Sequence, residues 1–171
     1  MANHLSLVNQ KLNFARVMLA QFEPNRDLSD YSPLASAQCE AVLLHLYTAY
    51  HFYLRELADV NGVKSAALVT SLDELSEVLQ GAGKHPTEIA ELRGLVYERS
   101  SWLSKMLASH AQIFQSPKPK TQMENASNNL IVVVDLNREE EQAVPNHQTL
   151  QRWLQEFILI VLRHRETSAE Y

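Results

Sequence analysis

A chain of 171 residues with 46% hydrophobic and 20% charged side chains has the composition of an ordinary soluble domain, long enough to bury a core without help from metals or disulfides. Its formal net charge of −5 offers no general attraction to a phosphate backbone or an anionic membrane, which sets aside nucleic acid and membrane as expected partners. Only four glycines suit long helices with short connections, and the single cysteine, Cys39, can form no internal disulfide.

Leu5, Val8, Leu12, Ala15, Leu19 and Phe22 recur at helical spacing, so the chain is expected to open with a helix carrying one apolar seam, stopped at Pro24 and Asn25. No charged segment leads into an unbroken apolar run there, and the longest such run, Phe157 to Leu162, falls far short of the roughly 20 residues that span a bilayer. A cytoplasmic location is the expectation. Ser32 is placed to cap, and Pro33 to open, a second helix that ends at Asn61 and Gly62, where glycine suits the left-handed position. This helix carries two apolar stripes. One is Cys39, Val42, Leu46, Ala49, Tyr53, Leu57 and Val60; the other is Leu43, Tyr47, Tyr50 and Leu54. Such a helix must be covered from more than one side, as at the centre of a bundle.

Ser71-Leu-Asp-Glu74 has capping-box spacing and predicts a short helix to about Gln80, closed by Gly81 to Gly83. Pro86 then begins what reads as one long helix, with Ile89, Leu92, Val96, Leu103, Met106 and Ile113 on its stripe, Gly94 as the place for a bend or break, and an end near Gln115. Residues 116–129 hold two prolines and small polar residues, and are expected to form a flexible linker. The β-branched run from Leu130 to Leu136 predicts an extended segment. Its backbone needs a partner in a hairpin with 120–129, in side chains of the bundle, or in the same segment of a second copy. Pro145 and Asn146 introduce the last helix, with Leu150, Leu154, Phe157, Val161 and His164 on its stripe. The expected fold is all-α: a four-helix-type bundle with an extra short helix and one extended segment near 130–136, in a single domain covering 1–171. Leu46, Tyr50, Tyr53, Leu103, Leu154 and Phe157 are its expected core.

His45 and His51 lie on one helix but about 240° apart around its axis, whereas helical metal ligands need spacings of three or four. No Glu-x-x-His pair supplies further ligands, so no metal and no cofactor is expected. Tyr47, His51 and Arg55 follow one another at successive turns and form one polar-tipped ridge. As a site, the ridge would give His51 proton handling and Arg55 an anion contact; as structure, it is amphipathic tips above packed stems. Arg99 and His110 interrupt an apolar stripe, so either each has a partner, with Glu40, Glu56 and Glu98 as candidates, or both extend past a shallow seam to water. The sequence has no glycine-rich phosphate loop, no nucleophile elbow, no His-Glu-x-x-His and no cysteine pair, and it lacks the short Arg-to-His spacing of helical-bundle ribonucleases.

Asn9-Gln-Lys11, Leu44-His-Leu-Tyr47, Ser101-Trp-Leu103 and the terminal Arg165-Glu-Thr-Ser-Ala-Glu-Tyr171 together resemble an uncharacterised family of small pseudomonad proteins, known only as a domain of unknown function. The resemblance implies a compact helical protein of bacterial cytoplasm, and carries over no catalytic residue. The expected function is that of a non-enzymatic interaction or regulatory protein whose partner is an unknown protein or itself, as a homodimer through 130–136. The alternative is a small-molecule-binding or hydrolytic bundle using His51, Arg55 and Tyr47. A deep pocket reaching His51 favours the alternative, and a flat apolar surface favours the interaction protein.

Overall fold

The computed structural model describes residues 4–21, 33–115 and 145–169. The expected linker at 116–129 and the extended segment at 130–136 lie outside the described residues, as does Phe22. The described residues form α1 (His4–Ala20), α2 (Pro33–Val60), α3 (Leu72–Gly81), α4 (Thr87–Tyr97), α5 (Trp102–Gln112) and α6 (His147–Ala169), with a single 3-10 turn at Ala66–Leu68 and no strand.

Helix α2 organises the rest because apolar residues lie on most of its circumference. Val42, Leu43, Leu46, Ala49, Tyr50, Tyr53, Leu54 and Leu57 are all buried. Helices α1, α5 and α6 pack around it. His4 meets Asp59, so α1 runs antiparallel to α2; His147 meets the Leu19 carbonyl and Arg165 meets Asn9, so α6 runs antiparallel to α1. Tyr47 meets His110 near the end of α5, while Trp102 at its start meets Phe157 of α6. The four helices therefore alternate in direction around the bundle, with α3 and α4 against the end where α2 and α6 finish. All six expected core residues are buried, Leu46 and Leu103 completely.

Local sequence sets the ends of several elements. Gly62 follows α2 with φ 74°, its N–H donating to the Asp59 carbonyl and that of Val63 to Ala58, a Schellman closure that needs the left-handed conformation. Gly83 ends α3 in the same way, with φ 70° and paired bonds to Gln80 and Leu79. At the start of α3 the Ser71 hydroxyl accepts from the Glu74 N–H at 3.1 Å, and the Glu74 carboxylate accepts from the N–H of Thr70 at 2.9 Å. Asn146 caps α6, its side-chain oxygen accepting from the N–H of Thr149 at 2.9 Å.

Three expectations are corrected. The long helix from Pro86 to Gln115 is two helices, broken at Glu98–Ser101 and not at Gly94, which lies within α4. The break is made by Ser101: its hydroxyl donates to the Leu95 carbonyl and accepts from the Ser104 N–H, closing one helix and capping the next. The seam of α1 begins at His4, which is buried, whereas Leu5 is exposed. Val60, the last residue of its predicted stripe, is also exposed, because α2 ends there and none of the described helices covers it.

Candidate functional site

The α2 ridge and α5 come together as an aromatic cluster. Tyr47 stacks flat on His110, with ring centroids 3.4 Å apart and planes within 8°. His51, one turn along α2, sits edge-on to Tyr47 at 4.6 Å and to Tyr50 at 5.8 Å. Phe114, in the turn that follows α5, lies edge-on to His110 at 5.3 Å and is 74% exposed. The edge-on contacts match the negative ring face with the positive edge, while Tyr47 and His110 lie face to face. Burial lowers the basicity of His51, and the charge of Arg55 adds to the effect. Burial likewise lowers that of His110, with His51 as the second cause. Both imidazoles are thus biased toward their neutral form.

Arg55 continues the ridge but is turned to its own helix end: Nε donates to the Val69 carbonyl at 3.1 Å and the guanidinium lies over Phe52 at 5.8 Å. The structure therefore joins Tyr47, His51 and His110, with Arg55 at the edge of the group. Arg99 is not part of it. It stands exposed in the turn between α4 and α5, where the helix break removes it from the seam and with it the need for a buried partner. His45 faces the other way, edge-on to Phe14 of α1 at 5.4 Å, so the angular separation of the two histidines holds in three dimensions.

A second polar network escaped the sequence reading. The Glu91 carboxylate of α4 accepts from His164 Nε2 at 2.8 Å and also pairs with Arg163. Because an ionised carboxylate can only accept, Nε2 carries a proton, and in the neutral ring Nδ1 accepts from the Tyr53 hydroxyl at 2.6 Å. Burial acts to raise the Glu91 carboxyl, but the hydrogen bond from His164 and the charge of Arg163 outweigh it, and the net shift is downward. The next residue, Arg165, forms a two-pronged pair with buried Glu56, at 2.6 and 2.9 Å, and reaches Asn9 at 2.9 Å. Glu56 had been a candidate partner for Arg99; Arg165 holds it instead. The available signals were the place of Glu56 next to Leu57 on a buried stripe and of His164 on the apolar stripe of the last helix.

The carboxylate, imidazole and hydroxyl of Glu91, His164 and Tyr53 are connected as in a nucleophile-activating relay, but Tyr53 is only 1% exposed and burial raises its hydroxyl far above the ordinary value. It can present no nucleophile to a substrate. A cavity of about 110 Å³ lies between α3 and α4, and its lining does not include His51. Among the described residues no group of three histidine, cysteine or acidic side chains is placed to hold a metal ion, and no helix is long and apolar enough to cross a membrane.

The architecture is that of an all-helical bundle pinned by cross-helix ion pairs at one end and bearing a half-exposed aromatic ridge along one side. Residues 1–171 match the model of a family of unknown function, DUF6586, and the chain belongs to that family. No curated protein and no solved structure matches the chain.

Proposed function

We propose that the chain is a non-enzymatic interaction protein of the cytoplasm, and that the strip formed by Leu44, Tyr47, His51 and Arg55 of α2 with His110 of α5 and Phe114 just beyond that helix receives a protein partner. The observation that carries this reading is Phe114, 74% exposed at the edge of a stack in which Tyr47 and His110 already fill each other's ring faces. Stacked rings leave little volume between them for a small molecule, while a projecting phenylalanine beside tyrosine, histidine and arginine has the composition of an interface anchor. Leu44, 41% exposed, extends the apolar edge.

Photo-crosslinking in the native cells tests the proposal. A photoreactive aromatic residue at position 114 is expected to capture one protein, or a second copy of the chain at twice the mass, and the same probe at exposed position 155 is not. His110→Ala should abolish the adduct while leaving the far-ultraviolet circular dichroism unchanged. Equal labelling at both positions, or an adduct indifferent to His110→Ala, overturns the proposal.

A further inference from the structure

The cavity between α3 and α4 has a chemical bias of its own. Ser76 lines it and is 4% exposed; its oxygen accepts from Gln80 Nε2 at 3.2 Å and from Arg93 Nη1 at 3.3 Å. Both lone pairs are thereby occupied, and the hydroxyl proton has no acceptor among the described residues. A hydroxyl in this state still has its one donor bond to give. The neighbouring groups are also donors. Arg93 gives one guanidinium nitrogen to Ser76, rests over Tyr97 at 5.8 Å and also bonds the Tyr97 hydroxyl, and Lys84 and His85 contribute to the lining. Lys84 Nζ donates to the Asn61 carbonyl at 2.5 Å and keeps further N–H bonds to give. No aspartate or glutamate lines the cavity, although the chain carries a net charge of −5. The first turn of α4 borders it as well, and the positive end of a helix dipole has the sign that an anion requires.

We infer that this cavity is a binding site for a phosphate group, with Arg93 and Lys84 supplying charge and Ser76 and Gln80 supplying directed donors. About 110 Å³ is well below the roughly 300–1,000 Å³ of pockets that enclose a drug-sized ligand. The site therefore takes inorganic phosphate or the terminal phosphate of a molecule whose remainder stays outside. Leu79 and Ile89 contribute apolar surface to its lining.

The test is a titration of the full chain, followed by backbone amide and arginine side-chain NMR, with inorganic phosphate, with glycerol phosphate as a monoester, and with potassium chloride at matched ionic strength. Saturable shifts confined to Ser76, Gln80, Lys84 and Arg93 are expected with phosphate and not with chloride. Saturation by both phosphate compounds marks a terminal-group site, and saturation by inorganic phosphate alone marks a site for the free ion. Arg93→Met is expected to weaken binding roughly tenfold or more, since it removes a charge-assisted pair. Should that variant unfold, Lys84→Gln and a phosphate-dependent rise in the melting temperature of the wild type carry the same question. Shifts that follow ionic strength equally in phosphate and chloride, or affinity unchanged in both variants, overturn the inference. This site is separate from the aromatic ridge, so either proposal can fail without the other.

Discussion

The end of the bundle where α2 and α6 finish and the strip along α2 and α5 hold their polar side chains by different means. At the first, polar groups are locked by charge and direction: Glu56 by Arg165, His164 between Tyr53 and Glu91, and His4 against Asp59 at 2.6 Å. Along the second, Tyr47, His51 and His110 are held by ring contacts and make no side-chain hydrogen bonds among the described residues. A paired buried charge ties helices into one arrangement, since any slip exposes an unmatched ion to a low-dielectric interior. Ring contacts tolerate small displacements, and burial holds these imidazoles toward their neutral form. The first region fixes the architecture; the second is a surface that can respond to what meets it.

The comparison is broken most severely by removing a charge from the locked end. Arg165→Met strands Glu56, whose side chain is 6% exposed, and is expected to cost about 3–5 kcal/mol, read as a fall in the denaturation midpoint. Replacing both partners with apolar residues of similar size should recover most of that loss, because the penalty lies in the unpaired ion; a double variant as unstable as the single one would place it elsewhere. Tyr53→Phe is a smaller perturbation. It deletes the hydroxyl bonded to buried His164 Nδ1 and is expected to cost about 1–3 kcal/mol, with a less than additive loss when combined with His164→Phe, since the two changes share that bond.

The sequence exposed this division only in part. Helix α2 was legible because its apolar stripes are dense, and α3 and α6 because Ser71 and Asn146 carry side chains whose bonding is local. The bond from Glu56 to Arg165 spans 109 positions in the chain, and no local pattern encodes which cation will arrive beside a buried carboxylate. The division of the expected long helix was hidden for another reason. Its apolar spacing continues through the break, and only Ser100 and Ser101, which compete with the backbone for hydrogen bonds, mark the change. Of the ridge, Tyr47 and His51 followed from helical spacing, whereas the stacking of His110 on Tyr47 depends on where α5 begins, and that position moved with the break. The same shift explains Arg99, placed on a seam by a helix that does not continue.

Acid sharpens the comparison. His51 and His110 both lie below the reference value of 6.5, chiefly through burial. A lowered histidine means that the unfolded chain takes up more protons than the folded one as pH falls past that reference. Stability from the stack is therefore complete above it and is lost as pH drops through the lowered folded values. Glu91 is lowered too, but from 4.5, so its contribution persists until more acid conditions. The melting temperature is expected to fall as pH drops below the 6.5 reference, and His110→Phe, which keeps a ring against Tyr47 but removes a titrating group, should flatten that fall. An unchanged slope would mean that other histidines govern it.

The smallest effect is expected at Phe114. Its edge-on contact with His110 belongs to a class worth about 0.5–1.5 kcal/mol when enclosed, but with 74% of the residue in water little of that value is realised. Phe114→Ala is therefore expected to change stability by less than about 0.5 kcal/mol, as for a surface substitution without buried partners. The same change should remove the crosslinking partner's affinity, because a projecting aromatic becomes fully buried only when an interface closes over it. The two readings come from one variant: chemical denaturation for the first, and competition by purified Phe114→Ala chain against wild-type crosslinking for the second. A variant that competes as well as the wild type would leave Phe114 a bystander and move the recognition surface away from α5, whereas a large loss of stability would assign the residue to the bundle itself.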